Sequence, residues 1–357
     1  MKRVPAELRI DLLDASLRVA TDGDALVRLL RDELGPLVRE ADGADPSLPL
    51  VEVRFDPPPP RLAAGDAPVP LDPASAPEQA YGAIFRALLD RVRGWLLLHA
   101  AALERDGHAY LVAGPSGSGK TTLALGLLSR GYRLLSDDFA PLHRETGLVH
   151  PFPKPLGIRP GEAARLAAPW LATGRLPAGL LAGDPVPLGG IALVSTGNGP
   201  PDPRAPYLYA ITVAGDGCAE AERLVRVPGL RLLERRGGEF LCEIDPARVR
   251  GADLDRLLEE ITANALQHGV VAPPHREGAR ATLAPLRPSD ALVLLLRELQ
   301  NRRAGNALLR SVGGDAARLA LELAEHLAGV PVTGVLAGAP GNTVELLDRW
   351  FRGTASG

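Results

Sequence analysis

Gly114-Pro-Ser-Gly-Ser-Gly119-Lys120-Thr121 meets every fixed position of G-x-x-x-x-G-K-[ST], and this constrains the chain around it. Such a loop needs a strand before it and a helix after it. Only then do backbone N–H groups and a helix N-terminus converge on one anion. Both flanks fit. Ala109-Tyr-Leu-Val-Ala113 reads as a buried strand, and Thr121-Thr-Leu-Ala-Leu-Gly-Leu-Leu128 as a helix with an apolar face. The motif therefore predicts an α/β fold with a phosphate site at Gly114, Pro115, Ser116, Gly117, Ser118, Gly119, Lys120, Thr121 and Thr122. Lys120 would bring a point charge to the β/γ-phosphates of a nucleotide, and the Thr121 hydroxyl can ligate Mg²⁺.

Composition narrows the partners. The formal net charge is −3, which argues against a nucleic-acid polyanion as main partner. Apolar residues make up 46% of the 357, enough for a sizeable core. The longest apolar run, Trp95 to Leu103, is interrupted by His99 and is too short to span a bilayer. Met1 to Glu7 has no apolar run of the signal-peptide kind. Cys218 and Cys242 show no metal-ligand spacing. A cytoplasmic protein, monomeric or oligomeric, is the expectation. Basic residues are almost all arginine; the lysines are Lys2, Lys120 and Lys154. This bias fits a GC-rich bacterial genome and makes Lys120 stand out.

The pattern divides the chain into residues 1–78, 79–285 and 286–357. The first part reads as a small α/β module. Its strands are Leu8 to Leu12 and Leu50 to Phe55, and its helix is Ala25 to Leu34 with Asp24 as N-cap. Pro57 to Pro60, Pro68, Pro70, Pro73 and Pro77 predict a linker. A helix is expected over Glu78 to Val92. The central part then carries a strand from Leu96 to Glu104, a turn at Arg105-Asp-Gly107, and the P-loop unit. Gly131 to Asp138 reads as a strand ending in two carboxylates. Phe139 to Phe152 reads as a hairpin turning at Glu145-Thr-Gly147. A short helix from Glu162 to Ala168, strands at Ile191 to Ser195 and Glu239 to Ile244, and a helix from Leu254 to His268 complete it. The last part reads as mainly helical: Asp290 to Arg303, Asp315 to Leu327 and Thr343 to Arg352, with one strand over Val330 to Leu336.

Asp137-Asp138 falls at the end of the strand that follows the P-loop helix, a position next to the γ-phosphate in a P-loop protein. One carboxylate can hold Mg²⁺, and the other can accept a proton from an acceptor hydroxyl. Two carboxylates this close titrate as a pair. His99 precedes the P-loop strand by one strand. A histidine on an apolar strand is either a satisfied core residue or a phosphate-end group. Lys154 and Arg159, in the proline-stiffened stretch from His150 to Gly161, are candidates for a cover over the nucleotide, or simply belong to a surface loop.

Taken together, the stretch from His99 to Asp138 resembles the core of HPr kinase/phosphorylases and the HPr-kinase-like proteins. That family combines a histidine strand, a strand-borne P-loop, an Arg-Gly turn and an Asp-Asp pair in this order. The resemblance implies a P-loop kinase core related to phosphoenolpyruvate carboxykinase. It implies Lys120 and Thr121 on nucleotide and Mg²⁺, Asp137 on the metal side, Asp138 as catalytic base, and His99 in proton transfer or phosphate positioning. The P-loop ends Lys-Thr-Thr where the bifunctional enzymes have Lys-Ser-Glu, and the Gly-rich Glu-Ile-Arg-Gly signature is not found. The match is thus to the diverged branch, and the phosphorylase direction is not implied. The expected activity is Mg-ATP-dependent phosphorylation of a hydroxyl, foremost a Ser or Thr of a peptide or protein. A small-metabolite kinase and a nucleotide-responsive binding module are the alternatives.

Overall fold

The computed structural model describes residues 5–41, 45–56, 58–63, 68–152, 178–197, 199–213, 217–249, 265–275, 278–301 and 306–354. It is mixed α/β with several sheets. Two compact units interleave along the chain. One joins Met1–Arg93, Pro206–Gly269 and Asn301–Gly314; the other joins Gly94–Ala205, Val270–Gln300 and Asp315–Gly357. A division into consecutive parts at 78 and 285 does not follow this grouping. Among the described residues, no helix is long and apolar enough to cross a membrane.

The first unit opens with a hairpin, Ala6–Leu12 against Ala15–Thr21. Alternation buries Leu8, Ile10 and Leu12 on one face. Leu50–Arg54 then pairs parallel to Ala15–Thr21. The helix Asp24–Leu34 buries Leu26, Leu30 and Leu34, spaced one turn apart. Its N-cap is Gly23, so Asp24 is a first-turn residue and not the cap. The carboxylate there still suits the helix dipole. The proline-rich segment is also more than a linker. Arg61–Ala63 and Val69–Pro70 extend the sheet as successive antiparallel strands beyond Leu50–Arg54. Proline is tolerated there because an edge strand need not donate outward. A second sheet has the order Leu230–Arg236, Glu239–Ile244, Tyr207–Val213, Ala265–Val271. The end of the helix expected over Leu254 to His268 is therefore strand; residues 250–264 lie outside the described set, as does the helix expected over Glu162 to Ala168. Pairing decides the conformation here: the Tyr209 hydroxyl and His268 Nδ1 meet at 2.5 Å across neighbouring strands.

In the second unit we number the elements β1 (Trp95–Leu98), β2 (Ala100–Arg105), β3 (His108–Ala113), α1 (Lys120–Leu128), β4 (Arg133–Ser136), β5 (Ala140–His143), β6 (Leu148–Val149), β7 (Val186–Ser195), β8 (Thr282–Pro285), α2 (Pro288–Arg297), α3 (Ala316–His326), β9 (Val332–Leu336) and α4 (Pro340–Thr354). The strands form one sheet in the order β4-β2-β3-β7-β6-β5-β1, with β9 also on β7 and β8 on β9. β3 runs antiparallel to β2 and parallel to β7, which runs parallel to β9. β2 and β3 are buried almost throughout, as continuous apolar runs should be when both faces are covered. The aromatic centre of the core is Tyr110, Tyr132 and Phe351, with Tyr110 and Phe351 centroids 4.8 Å apart. Phe351 lies on α4, so the C-terminal helix and β9 belong to the core of this unit.

Candidate functional site

The apolar run expected as one strand from Leu96 to Glu104 breaks at His99. Before it, β1 pairs with β5, Leu98 opposite Ala140. After it, β2 pairs with β3, Ala100 opposite Ala113. Continuing each register by one residue, His99 falls level with Gly114 on one side and with Phe139 on the other. β4 runs antiparallel to β2 with Ser136 opposite Ala102, which sends Asp137 and Asp138 toward the same end. The sheet thus gathers His99, the P-loop and the aspartate pair at one end through backbone register alone.

The loop has the geometry its glycines permit. Gly119 caps α1 with φ 88°, a left-handed conformation that side chains disfavour. Gly114 lies against β7: a Cβ there would meet the Val194 carbonyl oxygen at 2.7 Å. The backbone of Ser116 is clamped on both sides. Its N–H donates to the Val270 carbonyl at 3.1 Å, and its carbonyl accepts from the Ala272 N–H at 2.8 Å. Ser118 is buried, and its Oγ has no hydrogen-bond partner among the described residues. Pro115 completes the turn by accepting from Ser118 N–H at 3.1 Å, and Thr122 follows in the first turn of α1.

Lys120 is buried at the first position of α1 and folds back over the loop. Its Nζ donates to the carbonyls of Gly114 at 2.8 Å and Pro115 at 3.1 Å. Thr121 Oγ1 donates to Asp137 Oδ2 at 3.2 Å, joining the two residues read as metal-side groups. Asp137 is buried, while Asp138 is partly exposed. Among the described residues, no group of three His, Cys, Asp or Glu side chains could hold a metal by itself. The donor set nevertheless fits Mg²⁺, which keeps several waters and takes one or two carboxylates plus phosphate oxygens.

His99 is fixed by a residue that the sequence reading passed over. Its Nδ1 lies 3.1 Å from Glu298 Oε2, and its backbone N–H donates to the Glu298 carbonyl at 2.8 Å. Glu298 caps α2, which ends at Arg297 rather than continuing to Arg303. The residues after the helix instead pair with β1: Leu299 bridges Leu98, and Gln300 N–H donates to Leu97 at 2.9 Å. One signal could have revealed it. Ala291, Leu295 and Glu298 recur at helical spacing, and all three are buried, so an acid sits on the apolar stripe.

Two candidates, Lys154 and Arg159, lie outside the described residues. His150, which precedes them in the described residues, packs edge-on against Trp95 with centroids 4.6 Å apart, at the end of β1 away from His99. Burial, with the neighbouring His143 adding to it, lowers its pKa. Comparison with protein-family models and with curated proteins finds no match for this chain.

Proposed function

We propose that the protein is a Mg-ATP-dependent kinase of the HPr-kinase-like type, phosphorylating a hydroxyl, foremost a Ser or Thr of a peptide or protein. The observation that carries this reading is the convergence of a glycine-rich anion loop, a threonine–aspartate pair, a second aspartate and a histidine at one end of one sheet. A P-loop that only hydrolysed nucleotide would have no use for the histidine. The mixed sheet, with an antiparallel strand beside the P-loop strand leading from that histidine, supports a core like that of HPr kinase and phosphoenolpyruvate carboxykinase.

The loop N–H groups and the α1 N-terminus bind the phosphates of ATP. Lys120 exchanges loop carbonyls for phosphate oxygens, a stronger partner for an ammonium. Thr121 and Asp137 would hold Mg²⁺, which would supply charge neutralisation for the transferring phosphoryl group. Asp138 accepts the hydroxyl proton as that oxygen bonds to the γ-phosphorus and the bond to the β,γ-bridging oxygen breaks, releasing ADP. His99 stabilises charge at the same end. Little covalent work falls to the protein, so positioning dominates.

The test is incubation with γ-labelled ATP, Mg²⁺ and an extract of the source cells, with Asp138→Asn in parallel. Label on a polypeptide, lost in the variant, is the expected result. Label on a small molecule moves the acceptor to a metabolite. Nucleotide binding with no transfer, or free phosphate alone, refutes the kinase reading.

A further inference from the structure

We infer that Glu298 is a positioning residue for His99, holding the imidazole in the tautomer with its proton on Nδ1 and leaving Nε2 as the ring's acceptor. Three observations lead here. First, the Glu298 carboxylate is buried, and its hydrogen-bond contact is His99 Nδ1 at 3.1 Å. A buried carboxylate without a donor is costly, so the ionised acid requires Nδ1–H. Second, the backbone is tied on both sides of the contact, through His99 N–H to the Glu298 carbonyl at 2.8 Å and Gln300 N–H to the Leu97 carbonyl at 2.9 Å. The side chains meet because two chain segments are pinned together, and an isosteric change at Glu298 leaves that pinning in place. Third, Nε2 has no protein partner among the described residues, and the side chain keeps 19% of its surface exposed.

The hydrogen bond that one ring nitrogen makes fixes the state of the other. Free imidazole prefers its proton on Nε2; Glu298 reverses that preference. Neutral His99 then offers a lone pair beside the P-loop. The charged groups at the same end of the sheet as the ring are Glu298 at the end of α2, Asp137 and Asp138 between β4 and β5, and Lys120 at the start of α1. The consequence for transfer rests on the kinase reading; the tautomer does not.

The experiment uses the full chain labelled with ¹⁵N-histidine, with His99→Gln to assign the ring signals. In the wild type, neutral His99 should be the Nδ1–H form. In Glu298→Gln the tautomer should persist, because the amide oxygen still accepts. In Glu298→Ala the proton should move to Nε2. A wild-type ring protonated on Nε2, or a proton that stays on Nδ1 in Glu298→Ala, overturns the assignment. If the ring behaves as stated while no acceptor is ever phosphorylated, the kinase reading fails and the role of Glu298 as the residue that sets the tautomer stands. If Glu298→Ala does not fold, Glu298→Met, which fills the space without a side-chain acceptor of that strength, takes its place with the same expected outcome.

Discussion

β2, β3 and β4 carry charge at both ends, and the two ends differ in how that charge is used. At one end Asp348 of α4 receives Arg352 at 2.8 Å and Arg130 at 3.2 Å, with Arg105 at 3.6 Å. Arg105 also lies over the Tyr132 ring, 5.0 Å from its centroid. Next to this cluster, Glu104 takes Arg133 at 2.6 Å and the Gly107 N–H at 3.0 Å. Cations and carboxylates pair directly, and the pairs bind the C-terminal helix to the core. At the other end Lys120 bonds to loop carbonyls, Asp137 to a threonine hydroxyl, and Ser118 Oγ has no partner among the described residues. Both ends are buried and polar. Burial of charge therefore does not mark the candidate functional end; a glycine cradle beside a buried lysine and two carboxylates does.

If this contrast is right, substitutions at the two ends should separate activity from stability. The largest effect belongs to Asp138→Asn, which should lower phosphate transfer by about 10²–10⁴-fold while moving unfolding free energy by no more than about 0.5 kcal/mol. Rate assays and urea melts on one preparation check both halves. Asp348→Ala should do the reverse. Removing one carboxylate from three arginines should cost about 3 kcal/mol in urea unfolding, with nucleotide affinity per folded molecule unchanged. A smaller effect sharpens the phosphate end: Thr121→Val should weaken nucleotide binding about tenfold with Mg²⁺ present, and hardly at all in its absence, by calorimetry.

The smallest effect is in acid. Burial opposes ionisation of Asp348, but the hydrogen bonds from Arg352 and Arg130 outweigh it and hold its pKa below the ordinary carboxylate value. The same balance, with Arg133 and the Gly107 N–H as donors, lowers Glu104. A carboxyl depressed in the folded state contributes fully above its unfolded pKa of about 3.9–4.3 and loses that contribution as pH falls through the folded value. Wild-type stability should therefore decline below about pH 4, and Asp348→Ala should flatten that decline in pH-dependent melts.

The strand–loop–helix unit was legible because local pattern and tertiary role agree: a buried run, a glycine turn, then an apolar helix. The same holds for the hairpin turning at Glu145-Thr-Gly147, whose strands pair Leu142 with Val149. The break at His99 was not legible. Leu96 to Leu103 is an unbroken apolar run apart from the histidine, and only the different partners of β1 and β2 reveal the kink. Glu298 lay within reach, since an acid on a helix's apolar stripe needs a partner. Its partner, 199 residues away, is set by topology, which helical spacing does not encode. Ala15–Thr21, Tyr207–Val213 and Leu230–Arg236 were missed because their neighbours, more than their composition, make them strands. The proline-rich segment misled for a related reason: proline forbids an interior strand, not an edge one.

The central claim is that the His99, Lys120 and Asp138 end performs transfer and does not merely bind nucleotide. The most direct measurement is nucleotide affinity and label transfer on a single preparation of Asp138→Asn beside the wild type. The account predicts affinity within about threefold of wild type, a difference below about 0.7 kcal/mol, and transfer reduced at least about a hundredfold. Transfer at the wild-type rate in that variant would contradict it.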